Sequence, residues 1–196
     1  PRSTPKPSSA ASDVYKRQEK TKVGPTIGKE NTRAGLISFG IAFCVVLLYM
    51  FFYYGKSGLV ADIALLANVV FIFGSLASFG AVLTLAGIAG IVLTIGMAVD
   101  ANVIIFERIR DEINNEKNPI SAVESGYSKS FGTILDANVT TLIASLVLFF
   151  LGTGPVKGFA VTLSIGIITS VFTAFIITRL LISIWILRKR PEELSL

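Results

Sequence analysis

Two aspartates stand inside long, otherwise uncharged stretches: Asp100 within 81–106 and Asp136 within 131–151. A charged side chain in an apolar helix costs several kcal/mol unless it meets a partner or water, so such residues read as functional by default. Each opens a similar tetrapeptide, Asp100-Ala101-Asn102-Val103 and Asp136-Ala137-Asn138-Val139, a weak internal repeat. Two carboxyl groups that can approach each other from consecutive helices, alternating between charged and neutral forms, make a proton relay. The competing structural role is an interhelical hydrogen bond with Asn138, Thr140 or Thr141, and for Asp136 both roles stay open. An aspartyl-protease dyad is a third use of paired acids, but those enzymes carry a GxGD motif where this chain reads Met97-Ala98-Val99-Asp100.

Around Asp100 the helix carries a second pattern. Ala86, Gly90, Thr94, Ala98 and Asn102 recur every four residues, a ridge of small side chains suited to close helix packing. Asp100 points nearly opposite that ridge and Gly96 lies one turn before it, so the helix is expected to be enclosed on two sides. Arg179, inside the last apolar stretch, either snorkels to the membrane interface or serves an acid as counter-ion. The run Gly152 to Gly158 has a superficial phosphate-loop look but lacks the GK[ST] ending and reads as a turn.

Composition narrows the remaining chemistry. With no histidine and a lone cysteine, Cys44, in an apolar run, the usual zinc patterns, histidine-dependent triads and disulfides are set aside. The net charge of +5 comes from short basic runs between apolar blocks, which argues against nucleic acid as a partner.

The elements that must carry these residues follow from the apolar blocks. With 52% hydrophobic and 16% charged residues, the chain is hard to fit to a soluble surface. A helix needs roughly 20 apolar residues to cross a hydrocarbon core of about 30 Å. Five stretches meet that length, 36–54, 59–79, 81–106, 131–151 and 159–187, predicting an all-α integral membrane protein. A cytoplasmic connector at 107–130 is expected to continue the third helix and then, after Asn118-Pro119, to form a short amphipathic surface helix. Residues 1–22 read as a disordered leader or an assembly scar, 23–35 as a linker from an extracytoplasmic domain, and 191–196 as a cytoplasmic tail.

Counting Lys and Arg in the connections places eight on one side (Lys56, Arg108, Arg110, Lys117, Lys129, Arg188, Lys189, Arg190) and only Lys157 on the other. Positive residues are retained inside, so the N-terminus is expected outside the cytoplasm and the C-terminus within it. The eight Lys and Arg before the first span oppose the rule for a short terminus but fit the stump of a large translocated domain.

Ile95 to Glu112 (IGMAVDANVIIFERIRDE), Leu135 to Ala174 and Val23 to Gly35 together resemble the SecD side of the SecD/SecF family, within the resistance-nodulation-division superfamily. DANV together with GTGPVKGFA favours the SecD side over SecF. The resemblance implies half of a resistance-nodulation-division-type bundle in the bacterial inner membrane. It also implies an accessory motor, not an enzyme, that works with SecF beside the SecYEG channel and draws preproteins outward. No cofactor is implied beyond the proton gradient. In that likeness Asp100 matches the relay carboxylate of the central helix, and Asp136 matches an acid of the following helix whose role is less defined. A related transporter of lipids or small molecules is the remaining alternative, since fold does not fix cargo.

Overall fold

The computed structural model describes residues 25–81, 83–115 and 118–189, and among these all regular structure is helical. In order these are α1 (Pro25–Ser78), α2 (Leu85–Asn114), α3 (Pro119–Leu151), α4 (Pro155–Phe172), a π-helix (Thr173–Thr178) and α5 (Arg179–Lys189). The last three follow one another without a loop. The leader expected at 1–22, the first linker residues 23–24 and the tail 191–196 lie outside the described residues.

The first helix is not a straight rod. Phe39 and Phe73 would lie about 50 Å apart along a continuous helix, yet their rings meet edge to face with centroids 6.4 Å apart. The chain reverses at Gly55, whose φ of 54° and ψ of −120° suit glycine alone among the residues there. Its two arms, 25–54 and 56–78, therefore run antiparallel. The return is tight: a Cβ at Gly58 would collide with the Met50 carbonyl oxygen. Counted as continuous helices, four are long and apolar enough to cross a membrane, against the five read from the sequence. The difference is α1, whose arms carry the stretches 36–54 and 59–79 with a turn so short that helical geometry resumes on both sides of one residue.

Other boundaries differ from the sequence reading for identifiable reasons. α1 is already helical at Pro25, a residue preorganised for a helix start, so 25–35 continues the first arm as helix. α2 starts at Leu85, not 81, because the Thr84 side chain caps it by accepting from the Gly87 N–H at 3.0 Å. The surface helix expected after Asn118-Pro119 is instead the first part of α3. Asn118 caps that helix by accepting from the N–H groups of Ile120 and Ser121, and no further proline intervenes before Gly152. Its early residues Ala122, Val123, Gly126 and Tyr127 are buried, so this stretch belongs to the bundle. Gly154, at φ 53°, forms the turn into α4, which starts at Pro155 and not at 159.

α2 is the most enclosed of the long helices and packs against α1, α3 and α4. Large apolar side chains line the outer faces of the others, among them Phe52, Ile143, Phe150 and Leu151. That distribution fits lipid as the solvent for those faces. At one end of the bundle polar bonds tie the helices together. The buried Tyr54 hydroxyl donates to Glu107 Oε1 at 3.0 Å, and the buried Glu112 carboxylate accepts from Ser125 (3.1 Å) and Lys129 (2.5 Å) of α3. Tyr54→Phe removes the link between the α1 turn and α2 while keeping the ring. We expect it to cost about 1.5–3 kcal/mol, the usual worth of a hydrogen bond to a charged group. Thermal unfolding of the two proteins in the same detergent measures the loss.

Candidate functional site

The small-residue ridge of α2 lies against the last helical rod. A Cβ at Gly90 would strike the Thr162 hydroxyl, and one at Gly166 would lie 2.5 Å from Thr94. The two helices thus interlock, each glycine receiving a threonine from the other. Thr94 turns its own hydroxyl onto the Ile91 carbonyl at 2.9 Å, so the buried ridge holds no orphan donor at that point. Further along, the Thr178 hydroxyl donates to Asn102 Oδ1 at 3.1 Å.

Thr178 is the last residue of the π-helix, a segment absent from the sequence reading. Its hydroxyl also reaches back to the Thr173 carbonyl at 3.3 Å, five residues earlier, in keeping with π-helical spacing. Thr173 in turn faces Asn68 of α1, with a longest-range hydroxyl contact of 3.5 Å. Asn68, Thr173, Thr178 and Asn102 are all buried. They form two polar contacts inside the bundle that link the last rod to α1 and to α2. The intramembrane Asn and Thr residues were visible in the sequence, but their pairing across more than seventy residues was not.

Asp100 sits on the opposite side of α2 and is exposed. It continues a stripe of exposed residues through Leu93, Gly96, Asp100 and Ile104, spaced three or four apart as one helical face requires. Among the described residues the enclosure expected on two sides is met on the ridge side alone: a Cβ at Gly96 would meet nothing within 4 Å. A shallow apolar recess of about 230 Å³ adjoins that glycine, between Val92 and Ile95 of α2 and Phe39, Phe43 and Val46 of α1.

Asp136 is exposed on α3. The hydrogen bonds weighed for it from the sequence go elsewhere. Thr140 donates to the Asp136 backbone carbonyl and Thr141 to that of Ala137, while the Asn138 amide donates to the Ile134 carbonyl. All three groups serve their own helix, as hydroxyls and amides four residues beyond a carbonyl readily do. Among the described residues, neither Asp100 nor Asp136 has a hydrogen bond or ion pair from its carboxylate.

Their relative level follows from packing. At Gly126 the α3 backbone comes so close to α2 that a Cβ would lie 2.5 Å from the Ile109 side chain and 3.0 Å from its backbone. Counting away from that crossing in antiparallel directions, Asp100 lies nine residues from Ile109 and Asp136 ten from Gly126. At 1.5 Å per residue both carboxylates stand about 14–15 Å along their helices from the crossing. They share a level, and each faces outward from the bundle without touching a polar partner among the described residues. Both carboxylates are thus open to whatever covers these exposed faces.

Residues 5–188 match the family described as protein export membrane protein SecD/SecF, C-terminal. A protein translocase subunit SecD from Desulfurispirillum indicum is 54% identical over 178 residues, which cover 91% of this chain and 35% of that protein. Its counterpart from Acetobacter pasteurianus is 46% identical over 176 residues, 90% of this chain and 34% of the relative. The chain therefore spans about a third of the length of these curated relatives. The crystal structure of SecDF, a translocon-associated membrane protein from Thermus thermophilus, superposes with a TM-score of 0.83 at 43% identity, over 86% of this chain and 24% of that one.

Proposed function

Because this chain belongs to the SecD/SecF family of protein-export membrane proteins, we propose that it is the proton-relay part of a Sec accessory motor, with Asp100 as the principal relay carboxylate and Asp136 as a second. The observation that carries this reading is the outward, unpartnered position of Asp100 on the most enclosed helix, level with Asp136. An ionisable group placed so is costly in lipid and calls for a polar partner or a water path on the face it presents. In this reading SecF covers that face and completes the pathway, and the assembly acts on a translocating preprotein beside SecYEG. Protonation removes a charge from the contact and biases two arrangements of the central helix against its partner. No covalent step is required.

We further propose five crossings. The arm 56–78 is about 34 Å long, enough to span the hydrocarbon by itself, and so is the longer arm before it. With five crossings the basic connections gather on the cytoplasmic side of the inner membrane, and the end at Pro25 faces outward. The polar bonds of Tyr54, Glu107, Glu112 and Lys129 then all lie at the cytoplasmic end, where water and headgroups tolerate them.

The experiment follows preprotein export in inverted inner-membrane vesicles containing the whole polypeptide assembled with SecF. We expect export completion to be stimulated by an imposed proton gradient and the stimulation to vanish on adding an uncoupler. Equal completion with and without the gradient rejects the motor reading. Transport of a lipid or small molecule by the same vesicles, with preprotein export unaffected, would favour the related-transporter alternative.

A further inference from the structure

A half-open cavity of about 700 Å³ lies where the early part of α3 meets the π-helix and α5, and neither Asp100 nor Asp136 lines it. Residues of α3, among them Glu124, Tyr127, Lys129 and Phe131, line it together with Phe175 and Arg179 of the last rod. The charges facing it are therefore Arg179, Lys129 and Glu124. Lys129 is committed to the buried Glu112 carboxylate, so that pair is internally neutral. Among the described residues, Arg179 and Glu124 make no ion pair. The cavity thus offers one cation, one anion and several hydroxyls.

Arg179 does not project at random. Its guanidinium stands 5.9 Å from the centre of the Tyr127 ring, a cation–π distance that orients the group. The Tyr127 hydroxyl beneath is buried and, among the described residues, has no hydrogen-bond partner. Phe131 and Phe175 pack edge to face with centroids 4.9 Å apart and give the side toward the apolar part of α3 an aromatic lining. A site with separate positive and negative groups above an aromatic base matches a headgroup at a membrane interface better than it matches a soluble anion.

We propose that this cavity binds the headgroup of a cytoplasmic-leaflet phospholipid carrying both a phosphate and an amine, with Arg179 on the phosphate and Glu124 on the ammonium. The leaflet assignment rests on the orientation proposed above; the headgroup assignment rests on the cavity alone. The size is suitable, since pockets of about 300–1,000 Å³ hold ligands of drug size. Arg179 thereby has a role distinct from counter-ion to Asp100 or Asp136.

The test uses the purified whole polypeptide with its partner subunit and counts bound lipids by native mass spectrometry. Phosphatidylethanolamine, phosphatidylglycerol and inorganic phosphate are supplied in turn. We expect phosphatidylethanolamine to bind in preference to phosphatidylglycerol, Arg179→Gln to weaken it about tenfold or more, and Glu124→Gln to narrow or reverse the preference. Glu124 is exposed, so its replacement spares the core and keeps the proposal testable if Arg179→Gln proves unstable. Equal binding to the wild type and both variants overturns the site. Preferential binding of phosphatidylglycerol by the wild type overturns the zwitterionic assignment, and displacement of lipid by inorganic phosphate at equal concentration replaces the lipid with a free anion. Orientation is checked separately with Ser121→Cys in a Cys44→Ser background, using an impermeant maleimide on intact cells and on inverted vesicles. Labelling from outside the cell overturns the leaflet assignment while leaving the headgroup result intact.

Discussion

Asp100→Asn should abolish the gradient-dependent stimulation of preprotein export while leaving gradient-independent export in place. Asparagine matches the shape of the aspartate but cannot take up and release a proton, so a relay through this position stops. The loss should be at least tenfold in the stimulated component, because no other carboxylate of α2 lies at this depth: the next acid along it is Glu107, bonded to Tyr54. Stability should hardly change, within about 0.5 kcal/mol, as expected for a surface substitution that breaks no internal bond. The Asp100 carboxylate has no partner among the described residues, and its neighbour along the stripe, Gly96, meets nothing either. Measuring co-purification with SecF alongside export separates a broken relay from failed assembly. Undiminished stimulation in an assembled Asp100→Asn complex would make this aspartate a packing residue.

Gly126→Val should produce a large structural defect at the crossing of α2 and α3. The new Cβ would fall 2.5 Å from the Ile109 side chain and 3.0 Å from its backbone nitrogen and Cα. Side chains can rotate away, but the Ile109 backbone belongs to α2 and cannot yield without separating the helices. Overpacking of this kind costs about 1–3 kcal/mol, and branching at Cβ leaves valine little freedom to escape. Separation also disturbs the neighbouring bond from Ser125 to Glu112, leaving a buried carboxylate short of a donor. We expect a lowered thermal midpoint in detergent and reduced stimulated export, because the same crossing sets the common level of Asp100 and Asp136. Gly132→Ala, where a Cβ meets nothing within 4 Å, is the matched control and should be near neutral. Equal midpoints for the two variants would show that the helices do not meet closely at Gly126.

Much of the fold was legible from residue type and order. Long apolar stretches force helices, because backbone groups in lipid must find hydrogen bonds within their own segment. Asn118 and Pro119 signal a helix start, and Gly154-Pro155 signals the turn before the last rod. The ridge from Ala86 to Asn102 could be read from its spacing, since helical periodicity is local. So could the separation of Asp100 from that ridge by its position two residues from Asn102, which turns it to the other side of the helix.

What the tertiary structure decided lies between segments. Periodicity cannot tell whether a helix face meets protein, lipid or another subunit; within this chain Gly96 opens outward together with Asp100. Nor could spacing show that Asn138, Thr140 and Thr141 spend their donors on their own helix, because local carbonyls and distant side chains compete for the same groups. The amphipathic look of residues 119–130 was real, but its buried side faces α2 and not a membrane surface, as the approach of Gly126 to Ile109 shows. The chain by itself determined which residues are ionisable within apolar helices. Only the folded bundle decided which way they face, because that direction is set by the crossing of helices at Gly90, Gly126 and Gly166, where a missing side chain admits a neighbour far away in sequence.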